Sequence, residues 1–483
     1  MSSLVNNSEI GRENEYYDNT HLSLEKIKEK VAKKSERENT TSTQYLLFED
    51  LGYSNVKEEI NEFGEKVVRV DGEIPVDLPV SDGQRFLFIS YDQTILTHGL
   101  HKYPAKFFPE LPRWLIKRYS EEYDIVLDPF AGSGTTDVEA LLNKRHSVGV
   151  DVDPFSRYLS KVKTTPLDEE TLNWSLEALL RIIVDFNPSL VDEKDIPDFP
   201  YRDNWFNQEI ILELAYIKKN IEELDVEQDV KDFYKICFSS IIRSVSNADD
   251  NCTRTVIRKK LNKQVNPSDA LTKFAETILI NVPKMIEFSM KCPTDTKVEI
   301  PDDSDARNIK YPDDYFDLAV TSPPYANAVD YPRTHQLEIY WLGFASGSLA
   351  PLKKKHVGTE SVTAKEYRTL HTIEIREADS VISKIYEKDP RRAYIVYKYL
   401  CDMKQNLMEV YRVLKNGGRY VIVVGNNRIR GEVVENWLYI MRMAEEVGFQ
   451  LESYFASEII RHFIKVPREE RIDTDWVLGL KKN

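Results

Sequence analysis

"DIVLDPFAGSGTTDVEALLNKR", residues 124–145, decides how the rest of the chain is read. "DIVLD" is a nearly continuous apolar run, as expected of a strand covered on both faces. Gly132 and Gly134 follow, and glycine permits tight turning and close backbone approach. The helix expected from about Thr135 aims its free N–H groups at whatever sits over that turn. A strand, a glycine turn and a helix in this order are the first unit of an open α/β sheet.

Six further strands are expected downstream: "HSVGVDV" (146–152), "KVEIP" (297–301), "FDLAVTS" (316–322), "GGRYVIVVG" (417–425), "FQLESYFAS" (449–457) and "TDWVLGLKK" (474–482). Helical patterns lie between several of them, including "YLCDMKQNLMEVYRVLKN" and "ENWLYIMRMAEEVG", which stop at Asn-Gly or Gly. The expectation is an α/β fold with a seven-stranded, mainly parallel, Rossmann-like sheet. Residues 166–296 form a long helical insertion, and 326–398 a second one beside the fourth strand. Residues 1–95 read as an N-terminal flanking segment. It is loosely ordered over 1–40 apart from one amphipathic stretch, "LSLEKIKEKVAKKSE".

Composition narrows the class. The 483 residues carry a formal net charge of −15, which argues against a generally basic nucleic-acid coat. Any nucleic-acid contact must come from a local basic patch or from a partner that supplies the charge. Four cysteines without a C-x-x-C indicate neither a zinc site nor a disulfide framework, and no metal is expected. The N-terminus lacks an apolar leader and no run of about 18 apolar residues occurs, so a cytoplasmic protein is expected.

Three readings compete for the glycine turn. A phosphate loop needs a G-K-[ST] ending that is missing. A dinucleotide fingerprint needs a small residue where Asp137 stands. The third is a methyl-donor site, with Asp128 and the loop around the amino-acid end of S-adenosylmethionine. A plain strand–helix turn is the bland alternative. Asp151 closes the second strand about twenty residues past the glycines, where an acid accepts ribose hydroxyls. Asp153 is the other candidate, and strand alternation favours Asp151. Asp305 in "DDSDAR" is the expected partner of the adenine amino group.

After "YFDLAV" comes "TSPPY", residues 321–325. Two prolines cannot donate to a ladder, so the strand stops and leaves Ser322 and Tyr325 on a stiff stub at its carboxyl end. Open α/β sheets bind ligands beyond that end.

"DPFAGSGTT", "VGVDVDP", "DSDAR" and "TSPPY", in this order, resemble the S-adenosylmethionine-dependent DNA amino-methyltransferases. "HKYPAKFFPELP" is similar to the segment those enzymes place before the glycine loop. The resemblance covers roughly residues 95–165 and 297–483. It implies a sheet whose last strand runs antiparallel beside the sixth. It implies S-adenosyl-L-methionine held by His101, Tyr103, Pro104, Asp128, Pro129, Phe130, Gly132, Ser133, Gly134, Thr135, Asp151 and Asp305, with His101 packing against the pocket rather than acting as a base. It implies catalysis by Ser322, Pro323, Pro324 and Tyr325. The serine hydroxyl and the Pro323 carbonyl would accept the protons of an exocyclic amine, and the tyrosine would stack on a flipped base.

Ser-Pro-Pro-Tyr is similar to the cytosine-N4 set; adenine N6 is the alternative. Methylation at cytosine C5 is disfavoured, because it needs a Pro-Cys nucleophile and "KCPT" has the reverse order. An RNA methyltransferase and a non-catalytic recognition subunit are the lesser readings. The expected partners are double-stranded DNA and, in a restriction or phage-defence setting, a cognate subunit. The basic cluster Arg254, Arg258, Lys259, Lys260 and Lys263 is the first candidate for phosphate contact. "APLKKKHVGTE" (350–360) is the second, and Arg333 and His335 are expected near the flipped base.

Overall fold

The computed structural model describes residues 23–43, 55–61, 64–258, 260, 263–326, 329–459 and 474–483. In chain order its strands are β1 (Val56–Ile60), β2 (Lys66–Asp71), β3 (Gln84–Ile89), β4 (Ile125–Asp128), β5 (His146–Gly149), β6 (Val298–Glu299), β7 (Phe316–Thr321), β8 (Leu414–Gly425), β9 (Asn427–Ile429), β10 (Glu432–Val434), β11 (Phe449–Glu458) and β12 (Thr474–Lys482).

Ten strands form one mixed sheet in the order β1-β2-β3-β11-β12-β8-β7-β4-β5-β6; β9 and β10 make a separate hairpin. The seven strands marked by the sequence are all present within it. β12 runs antiparallel between β8 and β11. The count of seven needs correction: β1–β3 come from the flanking segment and extend the sheet, with β3 parallel to β11. Their sequences are short, and "VKEEI" is mostly polar, so each looks like an isolated turn-rich run. They pair with one another, and the contact of residues 84–86 with 455–457, remote in sequence, joins them to the larger sheet.

Apolar residues alternate across the central strands, and both faces are covered. Val126, Leu318, Val320, Val421, Val423 and Val477 join a core with Trp114 and Phe86. Leu127, Ala319, Tyr420, Ile422, Val424 and Leu478 face the opposite core, which includes the helices Arg376–Lys388, Pro390–Val413 and Asn436–Val447. The helices of the first insertion, Glu169–Val184, Gln208–Glu223, Gln228–Ile242 and Asp269–Lys291, bury their apolar sides in a third core. Val138, Phe155 and Leu159, from the helices after β4 and β5, belong to that same core.

The amphipathic stretch set apart from the rest of residues 1–40 is ordered. Leu24–Thr43 is a helix whose Ile27 is buried against the same core, with Lys30 bonded to Glu276 at 2.6 Å. The amphipathic pattern supplies the apolar stripe for that docking. Residues 1–22 lie outside the described set. Among the described residues, no helix is long and apolar enough to cross a membrane.

β4 has β5 on one side and β7 on the other. The chain order reverses at β4, which makes it the switch point where such sheets open a crevice.

Candidate functional site

A cleft opens at the carboxyl ends of β4, β5 and β7. Tyr103, Asp128, Pro129, Phe130, Gly132, Ser133, Thr135, Asp151, Asp305, Ser322 and Pro324 all line it. Residues drawn from five separate segments of the sequence therefore meet at one place.

The glycine loop is held from beneath. Gly132 and Gly134 have φ of +51° and +70°, in the left-handed region that glycine enters without strain. Gly134 precedes the helix Thr135–Leu142, and a Cβ there would lie 2.8 Å from the Ser160 side chain. Ser160 Oγ donates to the Gly132 carbonyl at 3.2 Å, and the buried Lys163 Nζ donates to the Ser133 carbonyl. Gly132 N–H donates to Asp151 Oδ2 at 3.0 Å, while Asp153 N–H donates to Oδ1 at 2.8 Å. Each carboxylate oxygen keeps a second lone pair for a ligand.

β4 and β7 are joined at the cleft floor. Thr321 Oγ1 donates to Asp128 Oδ1 at 2.6 Å, and Phe130 N–H to the same oxygen at 3.0 Å. Burial pushes the Asp128 carboxyl up to about 6, and the nearby Asp151 adds to the rise. Burial, then Asp153, pushes Asp151 up to about 6 as well. Buried acids whose ionisation is disfavoured form a site that a cationic ligand relieves. S-adenosylmethionine carries a sulfonium and an ammonium, so these residues fit it.

Asp153 is the buried N-cap of the helix Pro154–Thr164 and accepts from Phe155 N–H at 2.8 Å. Asp153 lines the cleft as Asp151 does, but its Oδ1 is spent on the cap and its Oδ2 lies 3.3 Å from His356 Nε2, whereas Asp151 is only half-buried. Asp305 lines the cleft, but Arg307 grips it through Nε at 2.9 Å and Nη2 at 2.7 Å. Burial works against the Asp305 charge, yet Arg307 outweighs it and holds the carboxyl below the usual range.

Ser322 is half-buried at the cleft and Pro323 is buried behind it. The Tyr325 ring is half-buried beside the cleft, and its hydroxyl donates to Asp475 Oδ1 on β12 at 2.6 Å. Pro104 and Gly134 sit beside the cleft without lining it. His101 is buried one layer back, edge-on to Phe155 at 5.0 Å. Burial pulls its imidazole down to about 4, so it stays neutral.

His335 requires a correction. It is buried between Phe155 and Tyr103, with ring centroids 4.7 and 5.1 Å away, and has no exposed face for a base. An aromatic side chain flanking apolar rings packs inward whatever its hydrogen-bonding capacity.

The basic cluster is less free than its sequence suggests. Arg258 pairs with Asp249 at 3.3 Å, Lys263 with Asp250 at 2.9 Å and Arg254 with Glu360 at 4.0 Å. Lys260 is exposed, and Lys259 lies outside the described residues. Thr255 Oγ1 donates to the Thr334 carbonyl at 2.7 Å, so this loop is tied to the segment that follows Ser-Pro-Pro-Tyr. Arg333 is half-buried in the short helix Tyr331–Thr334.

Several cleft residues escaped the sequence reading. Lys106, Thr136 and Ser156 line it from segments already singled out. Tyr331 and His356 come from the second insertion. Tyr331 stacks on Tyr103 at 5.5 Å, and Tyr103 hydrogen-bonds Ser156 at 2.9 Å. No motif marks either residue; only the fold returns that insertion to the glycine loop. Among the described residues, no group of histidines, cysteines and acids is arranged to hold a metal ion.

With this geometry in place, comparison with known proteins is informative. A family model described as DNA methylase matches residues 10–161. The type II methyltransferase M.MvaI of Kocuria varians is 27% identical over 374 residues, covering 73% of this chain and 82% of that protein. M.BsoBI of Geobacillus stearothermophilus, also a type II methyltransferase, is 24% identical over 405 residues, covering 73% of this chain and 78% of its own. Among solved structures, a TehB-like SAM-dependent methyltransferase of Corynebacterium glutamicum aligns over 77% of this chain and 87% of its own. Its 12% identity and TM-score of 0.26 are too low to bear on function.

Proposed function

We propose, from the premise that this chain belongs to the S-adenosylmethionine-dependent DNA amino-methyltransferases, that it methylates the N4 amine of a cytosine flipped out of duplex DNA. The observation that carries this is the junction of β4 and β7. The glycine loop and Ser322 share one cleft, over strands bonded through Thr321 and Asp128. S-adenosylmethionine, when bound, supplies an electrophilic methyl group.

The chain's own residues supply the rest. Asp151 is placed to accept ribose hydroxyls, and Asp128 with the glycine loop to hold the amino-acid end. Asp305, steadied by Arg307, stands at the adenine side. An exocyclic amine is a poor nucleophile because its lone pair is delocalised into the ring. Acceptors for its N–H groups favour a tetrahedral nitrogen. Ser322 Oγ and the Pro323 carbonyl are the proposed acceptors, and the two prolines fix that carbonyl in advance. Tyr325, anchored through Asp475, offers a face for the extruded base. No covalent intermediate with the protein is needed.

Cytosine N4 rests on the likeness of Ser-Pro-Pro-Tyr to the N4 set. A restriction–modification setting, with a cognate endonuclease as partner, is supported by relatives named type II methyltransferases. DNA phosphates are assigned to Lys260, Arg254 and their neighbours, which explains how a chain of charge −15 approaches a polyanion. Base-resolved sequencing of DNA from cells expressing the chain tests the proposal. N4-methylcytosine within one short sequence is expected, absent with Ser322→Ala. N6-methyladenine would move the assignment to the alternative base, and unmodified DNA would overturn it.

A further inference from the structure

His356 lies in the second insertion, over two hundred residues from Asp128, Asp151 and Asp153, yet it lines the same cleft. Its side chain is only 13% exposed. Nε2 is 3.3 Å from Asp153 Oδ2, and Nδ1 is 2.9 Å from the Leu352 carbonyl. The neighbouring Arg307 Nη2 donates to the Lys355 carbonyl at 2.7 Å, and Lys353 pairs with Asp330 at 2.9 Å. The segment 350–357 is therefore fastened at three points against the cleft mouth.

A continuous path runs inward from His356. Asp153 takes His356 on Oδ2 and caps the next helix with Oδ1. Asp153 N–H reaches Asp151 Oδ1, and Asp151 Oδ2 receives Gly132 N–H. We infer that His356 is a positioning residue for the methyl donor: as imidazolium it offsets the Asp151–Asp153 pair and so keeps Asp151 charged and oriented toward the glycine loop. The inference rests on the proposed use of the cleft for S-adenosylmethionine.

The other charges facing this group are few. Asp151 and Asp153 come from the turn after β5, and Arg157 Nη1 donates to the Asp151 carbonyl at 2.8 Å. Asp305 is already committed to Arg307. Burial lowers the imidazole's affinity for a proton, but Asp153 outweighs it and the net shift is upward. Asp153 itself sits below the usual carboxylate range, where His356 overcomes the effect of burial.

The test is calorimetric binding of S-adenosylhomocysteine to the full chain between pH 5.5 and 9, for wild type, His356→Gln and His356→Ala. Wild-type affinity should weaken as pH rises through the raised imidazole range and again as Asp151 takes up a proton near 6. His356→Gln keeps a hydrogen-bond donor without charge. It should lose about tenfold in affinity at pH 7, the worth of one charge-assisted hydrogen bond. Its alkaline limb should vanish and its acid limb should move upward. His356→Ala should be weaker still, and the loss should appear in the donor KM more than in kcat. Wild-type and Gln profiles of the same shape and affinity would overturn the role of His356 while leaving the donor site standing. Failure of wild type to bind would overturn the donor site and this inference with it.

Discussion

Asp128, Asp151 and Ser322 show how single side chains acquire a task from their placement. The two acids are raised to about 6 chiefly by burial, with Asp151 adding to the rise at Asp128 and Asp153 to that at Asp151, and a sulfonium ligand would reverse that cost. Asp151→Asn should therefore weaken donor binding and loosen the loop, since the single amide oxygen can accept from Gly132 N–H or Asp153 N–H but its NH2 group then faces the other donor; calorimetry reads the change. Ser322→Ala should lower the rate of methyl transfer about 10- to 1000-fold, as expected for losing one pre-organised polar contact. Its donor affinity should stay at the wild-type level, which separates it from the Asp151 variant. Asp128, Asp151 and Ser322 were all legible in the sequence, because each stands at the end of an apolar run beside a glycine or proline. His335 was misread because a histidine in a polar-looking segment gives no sign of the Phe155 and Tyr103 rings that enclose it.

Elements come next in scale. Gly134→Ala meets two obstacles, a φ of +70° and the Ser160 side chain 2.8 Å from the new methyl group. The expected cost is about 1–3 kcal/mol in stability, measured by denaturant melts, together with lost donor binding. The flanking strands make a different demand. Phe86 on β3 is fully buried, stacked on Phe88 and edge-on to Phe455. Phe86→Ala should cost about 3–5 kcal/mol in the same melts and spare donor affinity, because β3 lies far from β4 in the sheet order. The seven core strands were visible as apolar runs with helical spacers. β1–β3 were not, since their runs are short and mixed and their junction with the sheet depends on an edge that β11 provides hundreds of residues later. The second insertion was equally opaque: its length announced an element, but nothing in it said that Tyr331 and His356 return to the donor cleft.

Across the whole molecule, buried ionisable groups set how stability follows pH. Burial raises Asp128 and Asp151 to about 6, Asp475 to about 6 and Asp137 to about 7. The folded state then binds more protons than the unfolded chain between about pH 4 and 7, so stability falls as pH rises through this range. The raised His356 has the same sign: its contribution is present in acid and lost toward alkaline pH. Burial acts oppositely on His98 and His101, both near 4, and on His335, near 3. Their neutral forms are favoured in the fold, so stability falls as pH drops below the free imidazole value of about 6.5. The two sets oppose each other between about pH 4 and 7, so thermal melts of the donor-free protein should change little there and fall as pH rises through the raised His356 range. Bound S-adenosylhomocysteine should leave a smaller loss on the alkaline side.

The central claim is that the methyl donor and the target amine meet above the adjoining ends of β4 and β7. A crystal structure with a non-reactive donor analogue tests it most directly. The account predicts the ribose at Asp151, the amino-acid end over Gly132 and Asp128, and the transferable position directed at Ser322. An analogue seated outside this cleft, or with its sulfur side turned away from Ser322, would contradict it.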